Sequence, residues 1–123
     1  QKVELVEELP GETLVAADRG RLERAFGNLL VNALEAMPDG GRLAIDARQQ
    51  DQTITVRVAD TGPGIHPDLQ DRLFEPFASA GKKNGTGLGL ALARQTVLDH
   101  GGDMWASSEP GKGAVFYVRL PAA

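Results

Sequence analysis

Three glycines at alternate positions form the first candidate for a ligand site in this sequence. They lie in Gly85-Thr86-Gly87-Leu88-Gly89-Leu90, which runs directly into an apolar, helix-favouring stretch from Ala91 to Leu98. Glycine lets the backbone approach a ligand closely, and a helix start presents unpaired N–H groups and the positive end of a dipole. The pattern indicates a phosphate site, although a simple turn before a helix has the same composition.

A second set of polar side chains follows helical spacing. Asn28, Asn32 and Glu35 stand at i, i+4 and i+7, so they share one face of a predicted helix. One interpretation is a solvated polar face. The other is a row of oxygen ligands, because Mg²⁺ accepts amide carbonyls, carboxylates, water and phosphate oxygens.

A carboxylate and two glycines directly follow a predicted strand, in Asp60-Thr61-Gly62-Pro63-Gly64-Ile65. This segment is either a tight connecting turn capped by Asp60 or a carboxylate aimed into a cavity. In a cavity, the carboxylate would accept a hydrogen bond from an exocyclic amine such as N6 of adenine.

An irregular segment opens with Phe74-Glu75-Pro76-Phe77. The two aromatic residues form either a satellite of the core or the anchor of a lid that moves at Gly81 and Gly85. Lys82 and Lys83 lie in the same segment. Such a pair is commonly solvated surface, but near a triphosphate it would supply charge where charge builds up in phosphoryl transfer.

The composition excludes several classes of function. With 123 residues, of which 41% are hydrophobic, the chain is expected to form one domain, 1–123, with a substantial core. A net charge of -4 argues against non-specific nucleic-acid binding, and the absence of cysteine excludes disulfides, thiolate zinc sites and thiol nucleophiles. No apolar run approaches the ~20 residues of a membrane span, and no signal peptide opens the chain. We expect a soluble, cytoplasmic domain without membrane contact, and the missing initiator methionine indicates a fragment.

Hydrophobic periodicity predicts an α/β two-layer sandwich in which two long helices cover one face of a sheet. Asp18 is expected to cap the first helix, and Pro38 and Gly40 to stop it. The second helix is expected to end at Gly101-Gly102, and a short helical turn is expected over 67–73. The apolar positions of the first helix are Leu22, Ala25, Phe26, Leu29, Leu30, Ala33, Leu34 and Met37. Strands are predicted at 3–5, 14–16, 43–48, 53–59, 104–107 and 114–120, with turns at 50–52 and 110–111.

Four of these segments resemble, in order and separation, the sequence boxes of histidine kinases. The match covers nearly the whole chain. It implies the catalytic, ATP-binding domain of a two-component sensor histidine kinase, with the Bergerat-type fold of GHKL ATPases: a mixed sheet of about five strands and about three helices. The matching segments are Asn28–Ala33 for the N box, Asp60–Gly64 for the G1 box, Phe74–Phe77 for the F box, Gly85–Leu90 for the G2 box, and Gly111–Phe116 with Leu120-Pro121 for the family's ending.

The resemblance implies a role for each matching residue. Asp60 would hold the adenine amine, with water placed by Thr61 or Gly64. Asn32 would be the main Mg²⁺ ligand and Asn28 would assist the metal or the phosphates. The implied catalytic residues are Asn28, Asn32 and Lys82. The remaining ATP contacts would come from Gly62, Gly64, Ile65, Phe77, Lys82 and Lys83, and from the backbone of Gly85, Thr86, Gly87, Leu88 and Gly89.

The lid departs from the commonest family pattern, because Ala78-Ser79-Ala80-Gly81 stands where a Thr-Thr pair is frequent. Lys82 is therefore the first candidate for the phosphate-contacting lysine and Lys83 the second.

The implied reaction transfers the γ-phosphoryl group of ATP to a histidine on a separate dimerisation domain, upstream of a response regulator. It needs positioning and charge stabilisation rather than a protein nucleophile. His66 and His100 lie in no segment that resembles the family's phosphoacceptor motif, so we expect no self-phosphorylation. The isolated domain is expected to be a monomer. In topoisomerase, chaperone and mismatch-repair relatives a glutamate at the place of Asn28 activates water. An amide cannot take that proton, so slow ATP hydrolysis is expected unless Glu35 substitutes.

Other functions remain open at this point. A Rossmann site needs the glycines to follow a buried strand, and no G-x-x-x-x-G-K-[ST] is present for a P-loop. A serine kinase of the anti-sigma type and a free-standing GHKL ATPase share the fold. A non-catalytic nucleotide-binding scaffold is a third alternative, which intact Asn32, Asp60 and glycine boxes disfavour.

Overall fold

The computed structural model describes residues 3–8, 19–37, 39–65, 74, 89–108 and 111–121. Within these ranges five strands form one sheet, and two helices pack on one of its faces. The predicted cap at Asp18, the strand at 14–16 and the helical turn at 67–73 lie outside the described residues. The two-layer α/β sandwich expected from periodicity is the observed architecture.

Helix α1 spans Arg19–Glu35. Its buried stripe repeats every fourth residue, at Ala25, Leu29, Ala33 and Met37, the last of these just beyond the helix. The helix was expected to run to Met37, but it ends at Glu35 and continues as a turn, with Met37 N donating to Leu34 O at 3.1 Å. Leu34 is one of the apolar positions of the predicted pattern, yet it is 36% exposed, because it lies about 100° around the helix from Ala33.

Strands β1 (Val3–Glu8) and β2 (Gly41–Gln50) are parallel neighbours. Parallel pairing needs a long crossover connection, and α1 lies within it. Strand β3 (Thr53–Asp60) pairs antiparallel with β2 through a two-residue turn. Asp51 in that turn has φ +56, and Thr53 Oγ1 donates to Gln50 O at 3.1 Å. The polar turn predicted at 50–52 is thus confirmed.

Helix α2 spans Gly89–Asp99 and is followed by β4 (Asp103–Ser108) and β5 (Ala114–Pro121). It begins two residues earlier than the apolar pattern predicted. At its end, Gly101 N donates to Leu98 O and Gly102 N donates to Val97 O, both at 3.0 Å. These two bonds form a Schellman motif, so the predicted stop at Gly101-Gly102 is confirmed.

The strand order is β1-β2-β3-β5-β4, with every pair except β1–β2 antiparallel. The five-stranded mixed sheet agrees with the prediction; of about three expected helices, two lie in the described part of the chain. β3 is central, and β5, which follows all the other strands along the chain, is inserted between β3 and β4.

The two faces of the sheet differ in chemistry. On β5, Phe116, Val118 and Leu120 alternate inward and join one core with both helices. On the opposite face, the Trp105 and Tyr117 rings stack with centroids 5.2 Å apart. The helical layer therefore covers one face only, and the inward side chains at strand ends lie near the helices.

Candidate nucleotide site

Asp60 is the one charged side chain among the described residues that lies in the core, at 6% exposed. It occupies the last position of β3, on the same inward face as Ile54 and Val58. A carboxylate buried at this depth needs partners, because transfer of a charge out of water is costly. Its hydrogen bonds therefore show how the fold stabilises this carboxylate.

Both hydrogen-bond donors to Asp60 in the described part of the chain bind the same carboxylate oxygen. Oδ1 accepts from Gly62 N at 2.9 Å and from Ala114 N at 3.3 Å. The structure gives Oδ2 no hydrogen-bond partner among the residues that it describes. Burial raises the pKa of Asp60 above its ordinary value, while the bonds from Gly62 and Ala114 act in the opposite direction. Within the described ranges, the second oxygen is thus left as an acceptor for a further donor.

Residues 60–65, here called the G1 segment, lie against the end of α1. A Cβ built on Gly62 would stand 2.7 Å from the carbonyl oxygen of Ala36, so only glycine fits this close approach. Ala36 N in turn donates to the carbonyl oxygen of Asn32 at 3.1 Å. Contacts thus lead from Asp60 through Gly62 to the helical turn that carries Asn32.

A second contact ties α1 to the start of α2. Asn28 Nδ2 donates to the carbonyl oxygen of Gly89 at 3.3 Å, and Gly89 is the first residue of α2. Asn28 also lines a cavity of about 220 Å³ between the two helices, together with Arg24 and Thr96. The N-terminal end of α2, where unpaired N–H groups favour anions, is therefore beside the face of α1 that carries Asn28 and Asn32, here called the asparagine stripe.

The Thr61 hydroxyl, which is expected to help place water, makes two contacts within the protein. Its Oγ1 accepts from Arg42 N at 2.9 Å and lies 3.7 Å from Met37 Sδ, toward which it donates. These contacts fix the G1 segment to the start of β2 and the end of α1. Most of the hydroxyl's bonding capacity is consumed within the protein.

Phe74 is the described residue of the F box, and it packs on the core. Its ring meets the Phe116 ring edge to face, with centroids 6.3 Å apart at 83°. The Arg94 guanidinium of α2 lies 5.5 Å from the centroid of the Phe74 ring. These contacts agree with the core-satellite alternative for Phe74, whereas Phe77 lies outside the described residues.

Of the predicted nucleotide contacts, seven are described and seven are not. The structure brings Asn28 to Gly89, and Asp60 to the turn after Asn32, as stated above. Ile65 is half-buried against the core. The described contacts are Asn28, Asn32, Asp60, Gly62, Gly64, Ile65 and Gly89; those outside the described residues are Phe77, Lys82, Lys83, Gly85, Thr86, Gly87 and Leu88.

The connection between β4 and β5 belongs to the surroundings of Asp60, and no role was predicted for it. Gly111 N donates to Pro63 O at 2.7 Å. A Cβ on Gly113 would overlap the carbonyl oxygen of Asp60, and Gly113 has φ +92. The glycines of Gly111-Lys112-Gly113 were the available sequence signal, because Gly113 approaches the Asp60 backbone closely and both glycines have positive φ, +82 and +92.

The described residues contain no group of three or more His, Cys, Asp or Glu side chains placed to hold a metal ion. Neither helix in the described ranges combines the length and apolar character of a membrane-crossing segment. His100 Nδ1 lies 2.7 Å from Thr96 O at the end of α2, a contact that orients this imidazole within the helix end.

Comparison with known proteins places the chain in a family. The model of histidine kinase-, DNA gyrase B- and HSP90-like ATPases matches residues 17–123. The chain is 44% identical over 121 residues to the alginate biosynthesis sensor protein KinB of Pseudomonas aeruginosa, covering 98% of this chain and 20% of that protein. The chain thus spans about a fifth of the length of this relative.

Solved structures of histidine kinases also match this chain. The mycobacterial sensor histidine kinase MprB matches with a TM-score of 0.87 at 32% identity, over 98% of this chain and 82% of that one. The histidine kinase ThkA, in complex with the response regulator protein TrrA, matches with a TM-score of 0.79 at 32% identity, over 98% and 34% of the two chains. The chain therefore belongs to the family of histidine kinase-, DNA gyrase B- and HSP90-like ATPases, as a catalytic domain homologous to those of sensor histidine kinases.

Proposed function

We propose that this chain binds ATP with Mg²⁺ and donates the γ-phosphoryl group to a histidine on a separate dimerisation domain. The transfer would be the first step of a two-component signalling reaction. The observation that carries the proposal is the buried carboxylate of Asp60, with one oxygen held by two backbone N–H groups and the other available.

The adenine end of the site follows from the chemistry of Asp60. In its ionised form the available Oδ2 is an acceptor only, so it selects a donor such as the exocyclic amine of adenine. Gly62 and Gly64 let the backbone of the G1 segment approach the base, and Ile65 supplies an apolar neighbour. Phe77 is proposed as a further contact of the base.

The phosphate end would lie where α1 meets α2. The Nδ2 group of Asn28 is engaged by Gly89 O, so its Oδ1 is the end of the amide left for a ligand. With Asn32 one turn away, the stripe offers amide oxygens but no cluster of carboxylates. This donor set fits Mg²⁺, which commonly combines few protein ligands with water and substrate phosphates.

When bound, the metal supplies charge neutralisation at the phosphate oxygens. Asn32 is proposed as its main ligand and Asn28 as a secondary one. The backbone N–H groups of Gly85, Thr86, Gly87, Leu88 and Gly89 are proposed to hold the phosphates, with Lys82 and Lys83 contributing positive charge.

The side chains favour transfer over hydrolysis. An amide at Asn28 has no basic site to accept a proton from water. Glu35 is exposed on the same helix, three residues after Asn32 and on the same face. We therefore expect slow ATP hydrolysis by the isolated chain, unless Glu35 takes the place of the missing base.

The phosphoacceptor is proposed to be an imidazole on another domain of a longer polypeptide. The curated relative is about five times as long as the match, since the alignment covers 20% of it. ThkA has been solved with a response regulator, and we propose a protein of that class as the downstream partner here.

The direct test is incubation of the chain with labelled ATP, Mg²⁺ and a separately supplied dimerisation-histidine domain. The proposal expects acid-labile, base-stable label on that domain. The same domain with its acceptor histidine replaced by glutamine is the control and should stay unlabelled.

Each alternative gives a different product. Acid-stable label on a serine of a partner would indicate a kinase of the anti-sigma type, and rapid release of phosphate without a partner would indicate an ATPase. Binding of ATP with neither product would leave a nucleotide-binding scaffold. Any of these results contradicts the proposal.

A further inference from the structure

We propose that Ser108 is a positioning residue of the nucleotide site, whose hydroxyl holds the G1 segment in the geometry that binds adenine. The inference rests on the function proposed above. Nothing in the sequence boxes points to this residue, which is the last of β4 and lies 48 positions after Asp60 in the numbering of the chain.

The Ser108 hydroxyl makes two hydrogen bonds in opposite directions. Its Oγ accepts from Ile65 N at 2.7 Å and donates to Gly113 O at 3.1 Å. Ile65 is the last residue of the G1 segment, and Gly113 precedes the residue whose N–H binds Asp60. One side chain thus links the far end of the G1 segment to the strand that supports the carboxylate.

These bonds close a ring around the site. Ala114 N donates to Asp60 Oδ1 at 3.3 Å, and Gly111 N donates to Pro63 O at 2.7 Å. The first residue of the G1 segment therefore meets the start of β5, its fourth residue meets the β4–β5 connection, and its last residue meets the end of β4. Apart from Asp60 itself, Ser108 provides the one side-chain group in these four hydrogen bonds, and the other groups belong to the backbone.

Loss of the hydroxyl would affect binding through the conformation of the G1 segment. Ile65 N–H and Gly113 C=O would lose their common partner, and the segment would populate geometries in which Asp60 is displaced. Apparent affinity falls by the fraction of molecules that remain competent to bind. A neutral hydrogen bond of ordinary strength corresponds to a change of about 2- to 10-fold.

The test compares Ser108→Ala with Ser107→Ala by calorimetric titration of ADP and of inosine diphosphate with Mg²⁺. Ser107 is the matched control, because it is the adjacent, exposed serine on β4. Its hydroxyl makes no hydrogen bond within the described ranges. We expect Ser108→Ala to weaken ADP binding about 2- to 10-fold. Its preference for ADP over inosine diphosphate should fall as well, whereas Ser107→Ala should change neither.

A second pair separates the hydroxyl from its volume and covers the case in which Ser108→Ala folds poorly. Threonine and valine have nearly the same shape, and both are tolerated in strands. Ser108→Thr should keep wild-type affinity and base preference. Ser108→Val should weaken ADP binding and lower the preference for ADP, as Ser108→Ala does. A lower melting temperature with unchanged affinity and preference in Ser108→Ala, or equal behaviour of the Thr and Val variants, would overturn the role.

The wild-type titration distinguishes this inference from the function on which it rests. If the wild-type chain binds ADP and the Ser108 variants bind equally well, the positioning role is wrong and the proposed function stands. If the wild-type chain binds no adenine nucleotide, the proposed function is contradicted and the role of Ser108 falls with it.

Discussion

Replacing Asp60 by asparagine separates the two tasks that the structure gives to this side chain. The amide oxygen can take the place of Oδ1 and accept from Gly62 N and Ala114 N, which lie 2.9 and 3.3 Å away. The amide NH₂ group then occupies the position of Oδ2. An acceptor facing the ligand becomes a donor, while the bonds that support the fold are kept.

The expected loss of affinity follows from the lost hydrogen bond. A bond to a charged acceptor contributes about 1.5–3 kcal/mol, so ADP should bind about 10- to 150-fold more weakly to Asp60→Asn. Inosine diphosphate carries a carbonyl oxygen where adenine carries an amine. Its affinity should fall less, because the new donor suits that acceptor.

The folded state should tolerate the change well. Burial disfavours the charged form of Asp60, as the direction of its pKa shows, so a neutral side chain of the same shape should be at least as stable at neutral pH. Alanine is a poorer probe, because it leaves the buried Ala114 N–H without a partner at a cost of about 1–3 kcal/mol. Asp60→Ala therefore does not spare the fold as a test of function should.

Calorimetric titration and thermal melting of the same samples are the assay, with Asp51→Asn as the matched control. Asp51 lies in the exposed turn at the other end of β3, and asparagine suits its φ of +56. The control changes the net charge identically and should leave ADP affinity unchanged. An Asp60→Asn variant that binds ADP within twofold of wild type would refute the assignment of Asp60 to adenine.

Three other changes test the site and the fold. Asn32→Ala should abolish the stimulation of ATP binding by Mg²⁺ while ADP binding without metal persists; full stimulation in a titration would contradict its role as a ligand. Gly27→Ala should stabilise by about 0.5–1 kcal/mol and raise the melting temperature by a few degrees, because a Cβ there meets nothing within 4 Å and alanine favours a helix. Gly113→Ala should lower the melting temperature, since the Cβ of the alanine would overlap Asp60 O. A Gly113→Ala variant that melts above Gly27→Ala would be inconsistent with this packing. The native pKa of Asp60 is raised, so the stability gap in favour of Asp60→Asn should be absent below the ordinary value of 3.8 and grow as pH rises through the native pKa; a gap that shrinks with rising pH would reverse the sign.

The parts of the fold and site that sequence could predict have repeating or typical patterns. Asn28 and Asn32 were found by helical spacing, and Asp60 by its place at the end of an alternating strand. The exposure of the apolar Leu34 side chain has a physical cause. The helix buries a narrow stripe centred on Leu29 and Ala33, whereas a list of apolar residues implies a wider one.

The support of Asp60 was beyond sequence reasoning for a different reason. Ala114 contributes a backbone N–H, which every residue except proline carries, so its identity gives no signal. Ser108 is a single serine at a strand end, and its partners Ile65 and Gly113 also use backbone groups. Such bonds are fixed by strand order, which brings together Asp60 and Ala114 although they are 54 positions apart along the chain.

The late insertion of β5 has a consequence for biosynthesis. As the chain is translated, β3 and β4 are made before β5, so both present an unpaired edge to the surroundings until β5 enters between them. Ala114 arrives with β5, and until then the carboxylate of Asp60 lacks one of its two donors. A nucleotide that binds only the finished site therefore cannot stabilise the nascent chain before β5 has been made.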